Sequence, residues 1–297
     1  MRVGEVAVVG RPNAGKSTLV NRLVGEKVAI VSDKPQTTRK RVLGLARGKG
    51  YEIALVDTPG IHRPEHRLNA AMVRDATDAL GAADVVVWLV DAAASRGPGE
   101  TYIRGLLERA GRPAFLALNK IDRLAKPRLL PMIRRFSELL PFRAILPISA
   151  KTGEGVDALV RALADALPEG PPAYPDDFLT TTPETEWIGE LIREKLLERT
   201  RDELPFASAV VVESVREDPA KDLTVITASI VVEKEGQKGI VVGRGGAMVR
   251  EIGTAARQEL EAQSGRRIYL ELTVRVRARW RDDERFLSRL AGDRGAE

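Results

Sequence analysis

Cysteine is absent from this chain of 297 residues, and histidine occurs only twice. The absence of cysteine excludes disulfide bonds, thiolate metal sites and cysteine nucleophiles. No apolar run approaches the roughly 18 uncharged residues that suggest a membrane-spanning helix. The residues from Met1 to Glu5 lead directly into a short apolar run, so we expect no signal peptide and a cytoplasmic protein.

Charge is unevenly distributed along the chain, although its net value is only +5. Residues 1–170 contain 27 basic and 18 acidic residues, whereas residues 171–297 contain 20 and 24. Within the second half, residues 234–281 carry 11 basic and 5 acidic residues, so a basic segment lies in acidic surroundings. Such a patch suits polyanion binding, but charge alone fits an ordinary solvated surface better.

Short apolar runs alternate with helical patterns over residues 1–165, in a chain whose length is typical of about two domains. The runs that read as strands buried on both faces are Val6–Val9, Ile53–Val56, Val85–Val90, Ala114–Leu118 and Ala144–Ile148. Their alternation with helices predicts an α/β domain with a mostly parallel sheet and helices on both faces. Polar motifs follow these strands, at the edge where open α/β sheets bind ligands.

The residues from Gly10 to Ser17 fit the phosphate-loop pattern G-x-x-x-x-G-K-S/T. Glycine allows such a loop to wrap backbone N–H groups around a polyphosphate, and the following helix directs its positive N-terminal end at the anion. We expect Lys16 to reach the β- and γ-phosphates and the Ser17 hydroxyl to bind Mg²⁺. A glycine turn before a helix is the alternative that this motif alone leaves open.

A second motif, Asp57-Thr58-Pro59-Gly60, follows an apolar strand. At that point a carboxylate can hold Mg²⁺ through water, and the Gly60 N–H can sense the γ-phosphate. The segment from Gln36 to Lys40 lies between the two motifs and reads as a switch loop, in which one threonine hydroxyl also binds Mg²⁺. Thr38 is the preferred threonine and Thr37 is the alternative. The expected metal ligands are therefore Ser17, Thr38 and Asp57.

Two further motifs, Asn119-Lys120-Ile121-Asp122 and Ser149-Ala150-Lys151, predict which base is bound. Asn119 and Asp122 are expected to select guanine, because Asp122 can accept hydrogen bonds from N1–H and the exocyclic amine. Adenine lacks that donor pair and would leave the carboxylate unpaired, at a cost of about 1–3 kcal/mol or more. We expect Lys120 to lay its stem along the base and the Ala150 N–H to donate to guanine O6. The expected contacts to GTP or GDP are Gly10, Asn13, Ala14, Gly15, Lys16, Ser17, Thr18, Asp57, Gly60, Asn119, Lys120, Asp122, Ser149, Ala150 and Lys151.

The residue after Gly60 is Ile61, where Ras-like GTPases carry a glutamine that orients the attacking water. We therefore expect slow intrinsic hydrolysis, with the water positioned by another group. His62 and His66 lie nearby in the sequence, but we expect them in a mobile switch loop and assign neither as a base. The residues expected to take part in hydrolysis are Lys16, Thr38, Gly60 and Asn13.

A proline-rich segment, residues 168–180, reads as a semi-stiff linker between a domain of residues 1–167 and a second domain of residues 181–297. The pattern of the second domain predicts a helix from Trp187 to Thr200, β-rich runs over Pro205–Val215 and Leu223–Val232, a helix ending near Gln263, a strand from Ile268 to Trp280, and a short closing helix. The last strand alternates strictly, which predicts a half-buried strand with a basic outer face that includes Arg275 to Arg281.

The four residues from Gly243 to Gly246 match the G-x-x-G loop of KH domains, which clamps a nucleic-acid backbone between two helices. For the motif alone, a glycine-rich turn is the better interpretation. However, an apolar helical segment precedes it, Arg244 can meet phosphate, and the order helix, strand, strand, helix, loop, helix, strand is that of an α+β type II KH fold. Because aromatic side chains are few, we expect recognition through the nucleic-acid backbone and base edges. The expected RNA contacts are Lys238, Gly243, Arg244, Gly245, Gly246 and Arg250.

In combination, these motifs resemble the Era family of bacterial Ras-like GTPases, which carry a C-terminal KH domain. The stretch from Ile192 to Leu196, followed by Glu203-Leu204-Pro205, also resembles that family, and the likeness covers nearly the whole chain. It implies a factor of small (30S) ribosomal subunit assembly that binds the 3′ end of 16S rRNA and associates peripherally with the inner membrane. It also implies that Asn13 helps to hold K⁺ as a charge stabiliser. We expect a monomer.

The preferred hypothesis is a switch in which GTP orders Thr38 and the loop after Gly60, and so repositions or exposes the KH domain. A tRNA-modification GTPase is a second interpretation, but that class has a different second domain and a C-terminal cysteine, which is absent here. A passive RNA-binding protein, stabilised by nucleotide, is the third. A GTPase with tandem G domains is excluded, since there is no second phosphate loop.

Overall fold

The computed structural model describes residues 1–34, 36–61, 67–94, 97 and 99–290, without the Arg289 side chain. The chain divides into two compact units. Residues 1–65 and 69–181 form the first unit, and residues 66–68 and 182–297 form the second. Among the described residues, no helix has the length and apolar character needed to cross a membrane.

A six-stranded sheet forms the centre of the first unit. Its strands are β1 (Arg2–Gly10), β2 (Val42–Gly48), β3 (Tyr51–Asp57), β4 (Val85–Asp91), β5 (Ala114–Asn119) and β6 (Ile145–Pro147). The spatial order is β2-β3-β1-β4-β5-β6, and only β2 runs antiparallel to its neighbour. The predicted mostly parallel sheet is therefore confirmed.

Helices cover both faces of this sheet. They are α1 (Lys16–Val24), α2 (Arg67–Ala82), α3 (Gly99–Ala110), α4 (Leu129–Ser137) and α5 (Val156–Ala166). Along β1, Val8 joins a core that includes Leu19 of α1, whereas Val9 joins a second core that includes Trp88 and Ile103. Because both faces are apolar and covered, polar groups of the sheet collect at its strand ends.

Two strands of the first unit differ from expectation. The sequence pattern did not predict β2, whose seven residues include Gly44 and Gly48 and do not alternate in polarity. The run Ala144–Ile148 was expected to be buried on both faces, yet β6 covers only Ile145–Pro147 and is half-buried. The reason is its position, since β6 is an edge strand with one neighbour.

The predicted linker lies along the first unit, beside β2. The Leu45 N–H donates to the Leu179 carbonyl at 3.0 Å, and the Thr180 hydroxyl donates to the Leu43 carbonyl at 2.6 Å. An isolated bridge joins Thr180 to Gly44. The end of the linker therefore continues the sheet beyond its antiparallel edge strand.

Arg47, on β2, fixes the middle of the linker. Its guanidinium donates to four backbone carbonyls within residues 174–178, at 2.5–3.3 Å. The same guanidinium lies 3.1 Å from a carboxylate oxygen of Glu52, whose side chain is 2% exposed. The other Glu52 oxygen accepts the Ala173 N–H at 2.7 Å. One ion pair thus holds a proline-rich segment in a defined path.

The second unit has a three-stranded sheet with its main core on one face and a smaller cluster, which includes Phe286, on the other. Its elements are α6 (Glu184–Arg199), α7 (Leu204–Ala207), β7 (Ser208–Asp218), β8 (Leu223–Val232), α8 (Glu235–Val242), α9 (Ala247–Ser264), β9 (Ile268–Val276) and α10 (Glu284–Leu290). The sheet order is β7-β8-β9, with β7 antiparallel and β9 parallel to β8. Leu191 of α6, Ile230 of β8 and Ile252 of α9 belong to one core. The predicted order of elements is confirmed.

Element boundaries in the second unit required two corrections. The run Pro205–Val215 begins as a helical turn, because Pro205 cannot donate to a sheet and suits the first turn of a helix. The strand predicted to reach Trp280 ends at Val276, where its partner β8 also ends. Arg279 then adopts a left-handed conformation, with φ of 54°. Trp280 is buried in a separate cluster with Phe286, and its indole N–H donates to the Ala207 carbonyl at 2.9 Å.

Lys195 joins α6 to α9 through ion pairs at the edge of the core of the second unit. Its ammonium lies 3.1 Å from Glu194, 3.2 Å from Glu198 and 2.5 Å from Glu259. Burial alone would lower the pKa of Lys195, but hydrogen bonds to Glu259 and Glu194 outweigh it and raise the pKa above its ordinary value. The charged form of Lys195 is therefore part of the folded unit.

Candidate functional site

A cavity of about 400 Å³ opens at the carboxyl ends of the strands of the first unit. This volume lies in the range typical of small-molecule sites. Of the sixteen residues predicted to contact nucleotide or Mg²⁺, twelve line it: Asn13, Gly15, Lys16, Ser17, Thr18, Thr38, Gly60, Asn119, Lys120, Asp122, Ala150 and Lys151. The remaining four, Gly10, Ala14, Asp57 and Ser149, are buried and do not line the cavity.

Lys16 is the first residue of α1 and is almost fully buried. Its ammonium lies 3.5 Å from the Gly10 carbonyl and 3.4 Å from the Arg11 carbonyl, both in the phosphate loop. Burial lowers the pKa of Lys16, and the nearby Asp57 carboxylate opposes this shift. A buried ammonium at a helix N-terminus is suited to hold a phosphate anion.

Ser17, Thr38 and Asp57 come together beside Lys16. The Ser17 hydroxyl donates to an Asp57 oxygen at 2.6 Å, and the Thr38 hydroxyl lies 3.2 Å from the same oxygen and 2.9 Å from Ser17. The second oxygen of Asp57 is buried and has no hydrogen-bond partner among the described residues. Burial raises the pKa of Asp57, opposed by Lys16 and by the two hydroxyls. The donor set of two hydroxyls and a carboxylate fits Mg²⁺, a cation that prefers oxygen ligands.

Thr37 and Thr38 are oriented differently although they are adjacent. The Thr37 hydroxyl donates to the Lys34 carbonyl at 2.6 Å, away from the cluster that contains Thr38. Ile61, the residue at the position of the Ras-type glutamine, is 1% exposed and packs in the core that includes Trp88. The predictions for His62 and His66 lie outside the described residues.

Asp122 presents a carboxylate on the exposed side of the cavity. One of its oxygens accepts the Ser149 hydroxyl at 2.6 Å. This hydrogen bond lowers the pKa of Asp122, so the carboxylate stays ionised. An ionised carboxylate held from one side is suited to accept two N–H groups of guanine with its remaining lone pairs.

Asn119 connects two loops and leaves less of its amide for a base than the sequence suggested. Its side-chain N–H donates to the Ala14 carbonyl at 2.8 Å, and its oxygen accepts the Ala150 N–H at 2.9 Å. The Ala150 N–H, expected to donate to guanine O6, is therefore already bonded within the chain. Asn119 braces the phosphate loop against the loop from Ser149 to Lys151.

Lys120 lies along the wall of the cavity in a left-handed backbone conformation, with φ of 66°. Its ammonium is 2.7 Å from an Asp91 oxygen and donates to the Asn13 carbonyl at 2.6 Å. The backbone and the ammonium of Lys120 are thus both held in place, and the aliphatic stem between them can cover a flat base. The sequence analysis missed Asp91, although its position at the end of β4 is the signal shared by the other motifs.

Arg22 is a second residue that the sequence analysis missed. It lies on α1, and its guanidinium donates to the carbonyls of Ala150 and Lys151. No motif contains it, because the contact joins positions that are 128 and 129 residues apart.

The G-x-x-G loop of the second unit joins α8 to α9. Gly243 has a φ of 71°, and a Cβ there would lie 2.8 Å from the Met248 nitrogen, so only glycine fits. Arg244, Gly245 and Arg250 are exposed, whereas Lys238 and Gly246 are half-buried. A guanidinium N–H of Arg250 donates to the Gly245 carbonyl at 3.1 Å, which supports the loop from one side.

The basic face predicted for the last strand is largely paired with acidic residues. Arg275 lies 3.1 Å from Glu213, and Arg277 lies 2.5 Å from Asp283. Beyond the strand, Arg281 is 2.5 Å from Glu233. These ion pairs make the G-x-x-G loop, rather than this face, the better candidate for phosphate contacts.

Comparison with protein families agrees with the two units. A model described as 50S ribosome-binding GTPase matches residues 5–120, and a model described as KH domain matches residues 203–281. The chain is 48% identical to the GTPase Era of Geobacter metallireducens over 97% of both chains. It is 45% identical to the GTPase Era of Lacticaseibacillus paracasei, over 97% of this chain and 95% of that one.

Two solved structures are similar over nearly the full length. One is Era in complex with MgGDPNP and nucleotides 1506–1542 of 16S ribosomal RNA, with a TM-score of 0.95 and 39% identity, covering 98% of this chain and 99% of that one. The other is a single-residue variant of Aquifex aeolicus Era bound to GDP·AlF4⁻, with a TM-score of 0.94, 39% identity and the same coverage.

Proposed function

This chain belongs to the Era family of GTPases, and we therefore propose that it is a GTP-driven switch that binds the 3′ end of 16S rRNA and acts in small ribosomal subunit assembly. The observation that carries the nucleotide part is the meeting of Ser17, Thr38 and Asp57 beside the buried Lys16. The G-x-x-G loop with its exposed arginine carries the RNA part.

In the proposed site, Lys16 and the N-terminus of α1 bind the phosphates, and Asp122 selects guanine. Ser17, Thr38 and Asp57 would hold Mg²⁺, which supplies positive charge to the phosphates when it is bound. The placement of Thr38 supports its assignment over Thr37. Lys16→Ala should abolish GDP and GTP binding, since no other buried cation among the described cavity residues can replace its charge. Calorimetric titration tests this, and tight GDP binding by the variant would refute the assignment.

Hydrolysis requires a substitute for the missing glutamine, because Ile61 is buried in a core. We propose that Asn13 helps to hold K⁺ beside the phosphates. Its amide nitrogen donates to the Asp33 carbonyl at 2.6 Å, and the side chain lines the cavity, which leaves the amide oxygen as a potential cation ligand. GTP hydrolysis should be faster in K⁺ than in Na⁺, and Asn13→Ala should remove the difference. Equal wild-type rates in the two salts would exclude this role.

RNA binding is proposed for Lys238, Arg244 and Arg250 together with the backbone of the G-x-x-G loop. Combined replacement of Arg244 and Gly245 by Asp should weaken binding of the rRNA oligonucleotide without altering GTP affinity. Arg275→Asp is the control, because it also makes the same unit more negative, by two charges against three in the loop variant, but affects an arginine already paired with Glu213. Unchanged RNA affinity in the loop variant would refute the clamp.

Coupling between nucleotide and RNA separates the remaining hypotheses. Binding of an oligonucleotide from the 3′ end of small-subunit rRNA should be measured with a non-hydrolysable GTP analogue and with GDP, at one salt concentration. Tighter binding with the analogue supports the switch, whereas equal and tight binding favours a passive RNA-binding protein. The family membership and the match to a KH domain argue against a tRNA-modification GTPase.

Three expectations stay predictions. Peripheral association with the inner membrane is testable by flotation with anionic vesicles, and a monomeric state by sedimentation. Cytoplasmic location is testable by cell fractionation.

A further inference from the structure

Arg22 makes two contacts that join the phosphate-binding helix to the base-binding loop. Its Nε donates to the Ala150 carbonyl, and its Nη2 donates to the Lys151 carbonyl at 2.5 Å. These are successive peptide groups of the loop that follows Ser149. A single side chain on α1 therefore fixes the orientation of both peptide planes.

The geometry of the peptide group determines where the Lys151 N–H points when the Ala150 carbonyl is bonded to Arg22. In a planar trans peptide, the carbonyl of one residue and the N–H of the next point in opposite directions. Because the Ala150 carbonyl is directed at Arg22, the Lys151 N–H is directed away from Arg22. The Ala150 N–H is bonded to Asn119, whereas the Lys151 N–H has no acceptor among the described residues. Lys151 also lines the cavity, which makes its N–H a candidate backbone donor to a base.

Gly153 also lies close to the guanidinium of Arg22, although Arg22 is an exposed residue. Gly153 has a φ of 94°, and a Cβ there would lie 3.1 Å from a terminal nitrogen of Arg22. The loop thus lies against the guanidinium at Ala150, Lys151 and Gly153, which limits the positions available to the Ala150 and Lys151 peptides.

We propose that Arg22 is a positioning residue for guanine recognition, holding the Ala150 and Lys151 carbonyls so that the Lys151 N–H donates to guanine O6. The proposal rests on the guanine site described above and adds a residue that contacts neither the base nor the phosphates. It assigns discrimination at position 6 of the base to Arg22 and Lys151, and discrimination at N1 and the exocyclic amine to Asp122.

The test compares dissociation of three nucleotides from the full-length protein. GDP has the O6 acceptor, IDP keeps O6 but lacks the exocyclic amine, and 6-thio-GDP replaces O6 by sulfur, a weaker acceptor. Arg22→Ala should accelerate dissociation of GDP and IDP by about tenfold, the equivalent of losing the hydrogen bond between the Lys151 N–H and O6. Dissociation of 6-thio-GDP should change less than about twofold. Arg134→Ala, which removes an arginine whose side chain is 86% exposed on α4, is the control and should change none of them.

The three nucleotides also serve as the control for folding, since a misfolded variant would release all of them. Arg22→Lys keeps the charge but offers one donor centre in place of two, so it should fall between wild type and Arg22→Ala. Equal acceleration for all three nucleotides, or no acceleration of GDP, would overturn the proposal, as would equal wild-type rates for GDP and 6-thio-GDP. Failure of the wild type to bind any of the three would instead overturn the guanine site itself.

Discussion

Replacement of Asn119 by alanine tests whether this residue acts mainly on the protein or mainly on the base. The side chain is 2% exposed and satisfies two buried backbone groups, the Ala14 carbonyl and the Ala150 N–H. Each buried group left without a partner costs about 1–3 kcal/mol, so Asn119→Ala should reduce the free energy of unfolding by about 2–6 kcal/mol. This loss should occur in the absence of nucleotide.

The assay is urea unfolding of the nucleotide-free full chain, in which unfolding is monitored by hydrogen exchange in peptides from β1, β4 and β5. These strands lie in the sheet of the first unit, so their exchange reports that unit separately from the second. Arg134→Ala is the control, because the Arg134 side chain on α4 is 86% exposed and its ion-pair partner Glu138 is exposed as well. The control should change stability by less than about 1 kcal/mol, as surface substitutions generally do.

A purely base-reading Asn119 would give a different pattern. Asn119→Ala would then weaken GDP binding while the nucleotide-free protein stayed within about 0.5 kcal/mol of the wild type. That result would refute the reasoning that Asn119 braces the two loops. A loss of stability with little further loss of GDP affinity would identify the brace as its main role.

Three other predictions follow from contacts in the two units. Arg47→Ala should destabilise the first unit by about 3–5 kcal/mol, since it leaves the buried Glu52 carboxylate without its cation. In urea unfolding, the double variant Arg47→Met with Glu52→Gln should recover more than half of the lost stability. Thr38→Ala should raise the Mg²⁺ concentration needed for GTP-analogue binding by about tenfold, whereas Thr37→Ala should leave it unchanged in a fluorescence titration. Lys195→Met should cost the second unit about 3 kcal/mol. Because folding raises the pKa of Lys195, its ammonium contributes fully to the stability of the wild type below the ordinary lysine pKa, and this contribution is lost only at higher pH. The loss of stability in Lys195→Met should therefore stay constant from pH 7 to about 10 in unfolding measurements.

The sequence predicted which residues would meet around one cavity because these residues are attached to strand ends. Once Val6–Val9 and Ile53–Val56 were recognised as buried parallel strands, Gly10 and Asp57 had to meet at one edge of the sheet. The local pattern could not predict how the side chains pair after they meet. Asn119 was expected to contact the base, yet its partners are backbone groups of residues 105 and 31 positions away.

Alternating polarity was a less reliable guide at the end of the chain. Trp280 continues the alternation of β9 by position alone, and the partner strand needed to extend the sheet ends at Val232. Its burial depends on Phe286 and the Ala207 carbonyl, which are contacts from other elements. Similarly, β2 is a strand because β3 pairs with it, although its own sequence contains two glycines.

The linker docked on β2 also covers an edge of the sheet. A sheet edge with unpaired N–H and carbonyl groups can pair with a strand of another molecule, and proteins commonly protect such edges by covering them. Here the residues Leu179 and Thr180 use the groups that β2 would otherwise offer at Leu43 and Leu45. The segment that leads to the RNA-binding unit thus also occupies backbone groups that could pair with another molecule. A GTPase fragment that ends at residue 167 would leave the edge of β2 uncovered, whereas a fragment that extends to residue 181 would keep Leu179 and Thr180 bonded to it.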